Sequence, residues 1–265
     1  TGRSINEINL YSTEMSSALC SIDRVSASAN MNNRLSEAIV EAYKSTNGAP
    51  ISFELMLKCY QSRMKDANND DSISSVLKQL VNAHIFESED KVSLIDDSYI
   101  IKMDGYPKDG PIAKAIVYFL MSKLNNIYEL LDKQAVNDEV VQIRHFSIID
   151  EAHYMLDFDN RPLRNLIAVG RNKGLSIILA TQNMSSFKSK GFDFYANAQY
   201  PLIMKQQTID DKVIKDLFGV SGQELQEIRT AIAGLQKGEL IIKDQMAFAL
   251  GMGNKYKKIN VTHLI

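Results

Sequence analysis

The stretch HFSIIDEAHYML, residues 145–156, decides how this chain is read. The apolar run FSII predicts a short buried strand. It ends on two adjacent acids, Asp150 and Glu151, followed by Ala-His. Working outward, Gly110-Pro111 opens a helix over 111–131, because proline suits the first helical position. Its apolar stripe is Ile116, Leu120, Leu124, Ile127 and Leu131. NDEVVQIRH is a loop leading into the strand. Downstream, 161–172 predicts a helix with Leu163, Leu166, Ile167 and Gly170 on one side. LSIILA (175–180), PLIMKQ (201–206), GELIIK (238–243) and MAFAL (246–250) predict strands, and 210–218 and 223–233 predict helices. Several of these strands are continuously apolar rather than alternating. Strands buried on both faces and separated by helices imply an α/β fold around a mainly parallel sheet. The last hairpin is open to an antiparallel arrangement.

The first third has another texture. INEINLY (5–11) alternates like a strand. Residues 14–45 are rich in Ser, Ala and Asn, with Leu35, Ile39, Val40 and Tyr43 at helical spacing. NGAP (47–50) is a break. Ser52 suits the cap of the helix FELMLKCYQSRMK, though Leu55 leaves the capping box incomplete. After the polar loop DANNDD (66–71), SISSVLKQLVNAHIF predicts a helix and ESEDKVSLI a small hairpin, which together have a winged-helix flavour. SYIIKM (98–103) predicts a strand. The expected organisation is a partial core strand at 1–13, a helical insertion at 14–95 and an α/β core at 96–265.

Composition bounds the function. With 265 residues, 45% of them hydrophobic, the chain has enough for a sizeable core. A formal charge of −2 and a pI near 6.1 give no global basic bias of the kind that marks an obligate nucleic-acid binder. Cys20 and Cys59 are far apart and lack metal-ligand spacing, which predicts reduced thiols in a cytoplasmic protein. No apolar run approaches a membrane span, so no membrane partner is expected. TGRSINEINLYS carries no initiator Met and is read as the middle of a longer chain.

In open α/β sheets ligands sit beyond the carboxyl ends of the strands. Two acids there suit phosphoryl transfer. The first, Asp150, can hold Mg²⁺, and the second, Glu151, can accept a proton from an attacking water. An acid at a strand end can equally cap the turn that follows. The next strand, LSIILATQN, ends in Thr181 and Gln182, polar groups able to touch a γ-phosphate or orient the water. Between the strands, Arg171 in AVGRNKG reads either as a solvated helix end or as an arginine finger acting in the next subunit.

IIDEAH, then RNLIAVGRNKG, then LSIILATQN resembles the HerA/FtsK class of P-loop ATPases, hexameric motors that act on DNA. Within that class the chain is most similar to the ATPase subunits of DNA phosphorothioation-dependent restriction systems, the DptH-like proteins. The resemblance covers 96–250, including FGVSGQELQEIRTAIAGLQKGELII as the late helix pair and strand. It implies a RecA-like core, with 14–95 as the insertion between the Walker A and Walker B motifs. It implies ATP and Mg²⁺ as cofactors, with Asp150 as the Walker B metal residue, Glu151 as the base and Gln182 as the sensor. Thr181 would lie against the nucleotide, and Arg171 would be the trans finger. Asn172 stands where the family has Lys, and Ala168-Val169 replace an Arg-Glu pair common in archaeal members.

The G-x-x-x-x-G-K-[ST] phosphate loop is not in this sequence. The chain is therefore expected to hold the hydrolysis half of a site and to be inactive by itself. Expected partners are DNA, other subunits of a restriction or DNA-processing complex, and copies of itself in a ring, since a trans arginine requires head-to-tail contacts. Lys188 and Lys190, in SSFKSKGFDFYANA, are candidate DNA contacts facing a pore. The run NKYKK (254–258) reads as an exposed basic tail. Lys44, Lys58, Arg63, Lys65 and Lys78 are matched by nearby acids, which disfavours a DNA-binding adaptor. Two further readings remain: a DEAH-type helicase fragment, since DEAH is present literally, and a catalytically silent scaffold.

Overall fold

The computed structural model describes residues 4–22, 27–65, 70–85, 93–137, 140–189, 192–198, 200–251 and 254–261. The chain divides into two units. One comprises Thr1–Ser147 and Asp157–Ile177, the other Ile148–Leu156 and Ile178–Ile265.

The first unit is mainly helical. It holds α1 (Ile5–Ile22), α2 (Ala29–Ser45), α3 (Phe53–Gln61), α4 (Ser72–Asn82) and α5 (Pro111–Leu130). Each helix from α1 to α4 packs on the next, and α1 and α4 also touch α5. Residues 5–11 are helix, which corrects the strand expected there. The short window hid the period: Ile8, Ser12, Met15, Leu19 and Ile22 recur at helical spacing and are all buried. The start is also signalled. The Ser4 backbone N–H donates to Glu7 Oε2 at 2.6 Å and the Glu7 N–H returns to Ser4 Oγ at 3.3 Å. That reciprocal pair is a capping box. Ser52 does cap α3, accepting from the Leu55 N–H at 3.1 Å.

Asp71 ties three helices together. It caps α4 in a box with Ser74, accepts the Tyr60 hydroxyl at 2.6 Å and meets Arg34 of α2 at 3.3 Å. Tyr60 is fully buried. Along α5 the buried face is rotated from the expected stripe. Of that stripe Leu124 is buried and Leu131 packs against the core cluster that Leu124 joins, while the other buried apolar residues of the helix are Ala113, Ala115, Val117, Tyr118 and Tyr128. Lys114 is buried in the same helix, its Nζ 3.0 Å from Asp157. Residues 98–103 form no strand, and Ile100 stands exposed. The expected hairpin at 87–95 lies mostly outside the described residues.

A two-residue hairpin of β1 (Val136–Asn137) and β2 (Val140–Val141) precedes β3 (His145–Ile149). After α6 (His153–Leu156) and α7 (Arg161–Val169), a single 3-10 turn, Gly170–Lys173, leads into β4 (Leu175–Leu179). β3 and β4 pair with each other and run in the same direction. Arg144 N–H meets Gly174 O at 2.7 Å near their starts, and Ala180 N–H meets Ile149 O at 2.9 Å at their ends. Gly174 is required at the entry. Its φ is +80°, and a Cβ there would stand 2.7 Å from Gln142 O. Leu124, Tyr128, Leu166 and Leu175 form one core cluster.

The second unit continues with β5 (Lys188–Ser189), β6 (Phe192–Asp193), α8 (Phe194–Asn197), β7 (Leu202–Met204), α9 (Asp211–Phe218), α10 (Gly222–Ala233), β8 (Glu239–Lys243), α11 (Gln245–Leu250) and β9 (Tyr256–Asn260). β7, β8 and β9 form an antiparallel sheet with Ile203 opposite Ile241 and Ile241 opposite Lys258. One face, with Ile203 and Ile241, packs on Val213, Ile214, Leu217 and Phe218 of α9 and on Leu225, Ile228 and Ile232 of α10. The opposite face is open at Leu202 and Met204.

Two more expectations are corrected. Residues 246–250 are helical: Asp244 Oδ1 accepts both the Met246 and Ala247 N–H groups at 3.1 Å and starts a turn, which a five-residue apolar run does not announce. The basic run 254–258 enters β9 rather than forming a tail, with Lys257 paired to Asp244 at 2.8 Å and Lys258 to Glu239 at 2.7 Å. Those pairs hold both carboxyls below their ordinary range. The expected mainly parallel sheet is thus a mixed helix and strand architecture whose parallel part is small. β3 alternates half-buried and exposed positions, with Phe146 and Ile148 open, so it is not buried on both faces.

Candidate active site

The carboxyl ends of β3 and β4 bring four polar side chains of the second unit together. After Ile149 the chain makes a sharp turn. Ala180 N–H reaches Ile149 O, and the Ala152 N–H returns to Ala180 O at 2.8 Å, so the turn is clamped to the end of β4. Ala152 is fully buried. Meeting both bonds puts Glu151 at φ +50°, a left-handed conformation that side chains rarely adopt. The Asp150 carboxylate steadies the turn by accepting the Glu151 N–H at 2.9 Å on Oδ1. Asp150 is exposed.

The Glu151 carboxylate is engaged on both sides. Gln182 donates through Nε2 to Oε1 at 2.6 Å. His153 Nδ1 stands 3.3 Å from Oε2. The same Nδ1 is 3.3 Å from Thr181 Oγ1. Oε2 is buried and has no well-aligned hydrogen bond, so the contact with His153 is one of proximity and charge rather than a directed bond. The His153 ring packs against Tyr154, with centroids 4.1 Å apart.

The structure therefore brings Glu151, Thr181 and Gln182 together beside Asp150. Arg171 lies in the 3-10 turn of the first unit. Lys188 begins the short strand β5, and Lys190 lies outside the described residues. Sequence reasoning gave His153 no role, although it lies two residues after Glu151 in the opening stretch. The signal was the tight Asp-Glu-Ala-His turn itself, which leaves positions 151 and 153 free to approach the end of the neighbouring strand.

Among the described residues no group of three or more His, Cys, Asp or Glu side chains could hold a metal ion. The donor set suits Mg²⁺ of one kind only: an ion that keeps its waters, arrives with phosphates and takes a single carboxylate from the protein. Asp150, exposed and with one oxygen spent on the turn, fits that use.

No family model matches this chain, and no curated protein matches it. Among solved structures it is similar in fold to VirB4 of Thermoanaerobacter pseudethanolicus, with a TM-score of 0.58 at 15% sequence identity. The match covers 97% of this chain and 69% of that one. Among the described residues no helix is long and apolar enough to cross a membrane.

Proposed function

We propose that this chain is the hydrolysis-bearing part of an ATPase motor of the HerA/FtsK type. The fold shared with VirB4 supports a distant relation to P-loop ATPases and, with it, a RecA-like core. The observation that carries the reading is the 2.6 Å bond from Gln182 to Glu151 between the ends of two adjacent parallel strands. It joins the acid assigned as base to the polar group assigned as sensor.

Mg²⁺ bound with ATP supplies charge neutralisation on the phosphates. Asp150 would hold that ion through the carboxylate oxygen not used on the turn. Glu151 takes the proton of the attacking water, which requires its carboxylate to leave Gln182. Gln182, once released, turns to the γ-phosphate, and Thr181 offers a hydroxyl beside it. Arg171 is the finger offered to a neighbouring subunit, which makes the working assembly a ring. The cytoplasm is the setting. DNA is the track, with Lys188 and Lys190 on its phosphates, and restriction of non-phosphorothioated DNA is the role within the HerA/FtsK class. Lys188→Ala with Lys190→Ala in the protein at its natural length weakens DNA binding and makes its salt dependence shallower. Unchanged affinity and slope would remove the DNA contact.

One observation favours a second reading. Both acids are already used internally, Asp150 on the turn and Glu151 on Gln182, as strand-end caps would be. A silent scaffold that only binds partner subunits would keep them so. ATP turnover with and without DNA separates the two. Under the motor reading Glu151→Gln binds ATP and loses hydrolysis by roughly 10²-fold or more. Turnover unaffected by Glu151→Gln makes the pair a cap.

A further inference from the structure

His153 has no part in the hydrolysis described above, yet it is the side chain placed between Glu151 and Thr181. Its Nδ1 lies 3.3 Å from Glu151 Oε2 and 3.3 Å from Thr181 Oγ1. One ring nitrogen thus faces two oxygens. The two oxygens make different demands. A hydroxyl can donate to a bare nitrogen or accept from an N–H, whereas an ionised carboxylate only accepts. A bare Nδ1 would set its lone pair against the buried Oε2. A proton on Nδ1 suits both neighbours in different ways: it donates to Thr181 Oγ1, whose own hydroxyl proton is directed elsewhere, and it turns a positive edge toward Oε2 without a directed bond. Gln182 holds the other carboxylate oxygen, so the glutamate would be fixed at both ends.

We propose that His153 is the positioning residue of Glu151: a proton on Nδ1, hydrogen-bonded to Thr181 Oγ1, holds Oε2 by electrostatic attraction across 3.3 Å rather than by a directed bond. The proposal rests on the hydrolysis reading for its consequence and on the side-chain geometry for its substance. Fixed at Oε1 by Gln182 and at Oε2 by His153, the carboxylate keeps one orientation at the end of β3. When Gln182 leaves for the substrate, His153 remains as the single hold and sets the direction in which the freed oxygen points. A base displaced by about 1 Å can lose 10²-fold in rate, so this hold has a kinetic consequence.

The deciding measurement does not depend on turnover. In protein labelled with ¹⁵N-histidine, long-range ¹H–¹⁵N correlation reports which ring nitrogen carries the proton, and His153→Gln identifies the resonance among the four histidines. The expected result is a protonated Nδ1 in the wild type. In Glu151→Ala the preference for Nδ1 is lost, and the Nε2–H form that free imidazole favours takes over. A bare Nδ1 in the wild type, or a pattern indifferent to Glu151→Ala, overturns the proposal. In ATP turnover by the protein at its natural length, His153→Ala lowers kcat by roughly 10-fold to 10²-fold with KM unchanged. His153→Asn, whose amide nitrogen falls near the Nδ1 position, restores most of it. Equal loss in the Asn and Ala variants, or a change confined to KM, counts against positioning. A wild type without turnover overturns the hydrolysis reading, and the ring-proton result alone then decides the geometry.

Discussion

Glu151 combines a left-handed backbone with the carboxylate on which the proposed hydrolysis depends. Its φ of +50° is imposed by the two backbone bonds that clamp the turn to β4. A left-handed non-glycine residue costs about 1–2 kcal/mol, and such strain persists where the surroundings over-determine it. Glu151→Gly should therefore be more stable than Glu151→Ala by about 1 kcal/mol, seen as a higher denaturation midpoint. Equal midpoints would mean the turn relaxes once the carboxylate is gone. His145, at the start of β3, makes a second prediction. Its ring stacks on Tyr128, its Nδ1 is buried without a partner among the described residues, and burial pushes its pKa below the ordinary 6.5. The folded state then binds this proton less readily than the unfolded chain. The stability tied to His145 is full above its ordinary pKa and falls as the pH drops through it. His145→Phe keeps the stack and should flatten the loss of stability between pH 7 and pH 5. An identical loss in both proteins would put its origin elsewhere. Cys20 is inert by the same physics, because burial drives its thiol up to about 12.

At the scale of elements, Asp71 is the joint of the helical unit. Asp71→Ala removes the α4 cap and leaves the buried Tyr60 hydroxyl unsatisfied, so it should cost about 3 kcal/mol in chemical denaturation. A loss below about 1 kcal/mol would mean that water replaces the carboxylate. Elements with long periods were legible in the sequence. α5 opens at Pro111 as expected, α9 and α10 lie within a residue of their expected starts, and β4 and β8 fall inside their apolar runs. Short runs were not legible. INEINLY and MAFAL fit strand and helix equally in seven and five residues, and capping by Ser4 and Asp244 decided for helix. The direction of pairing was hidden as well. Apolar continuity suggested a mainly parallel sheet with only the last hairpin open to antiparallel pairing, but β7 joins β8 and β9 in an antiparallel sheet that keeps an open face. For the candidate site, Asp150, Glu151, Thr181 and Gln182 were legible because their strands end where the apolar runs stop. The place of His153 was not, because it depends on a turn that only the backbone bonds to Ala180 define.

For the whole molecule, the second unit holds the strand-end acids, Gln182 bonded to Glu151 and Thr181 beside His153, and the first holds Arg171. The central claim is that Glu151 and Gln182 act as one hydrolytic unit. A double-mutant cycle on ATP turnover, in the protein at its natural length with DNA present, tests it most directly. The variants are Glu151→Gln, Gln182→Ala and the two combined. The account predicts that the double variant is no slower than Glu151→Gln alone, since residues acting as a unit are non-additive. Losses that simply multiply, or wild-type turnover in Glu151→Gln, would contradict it.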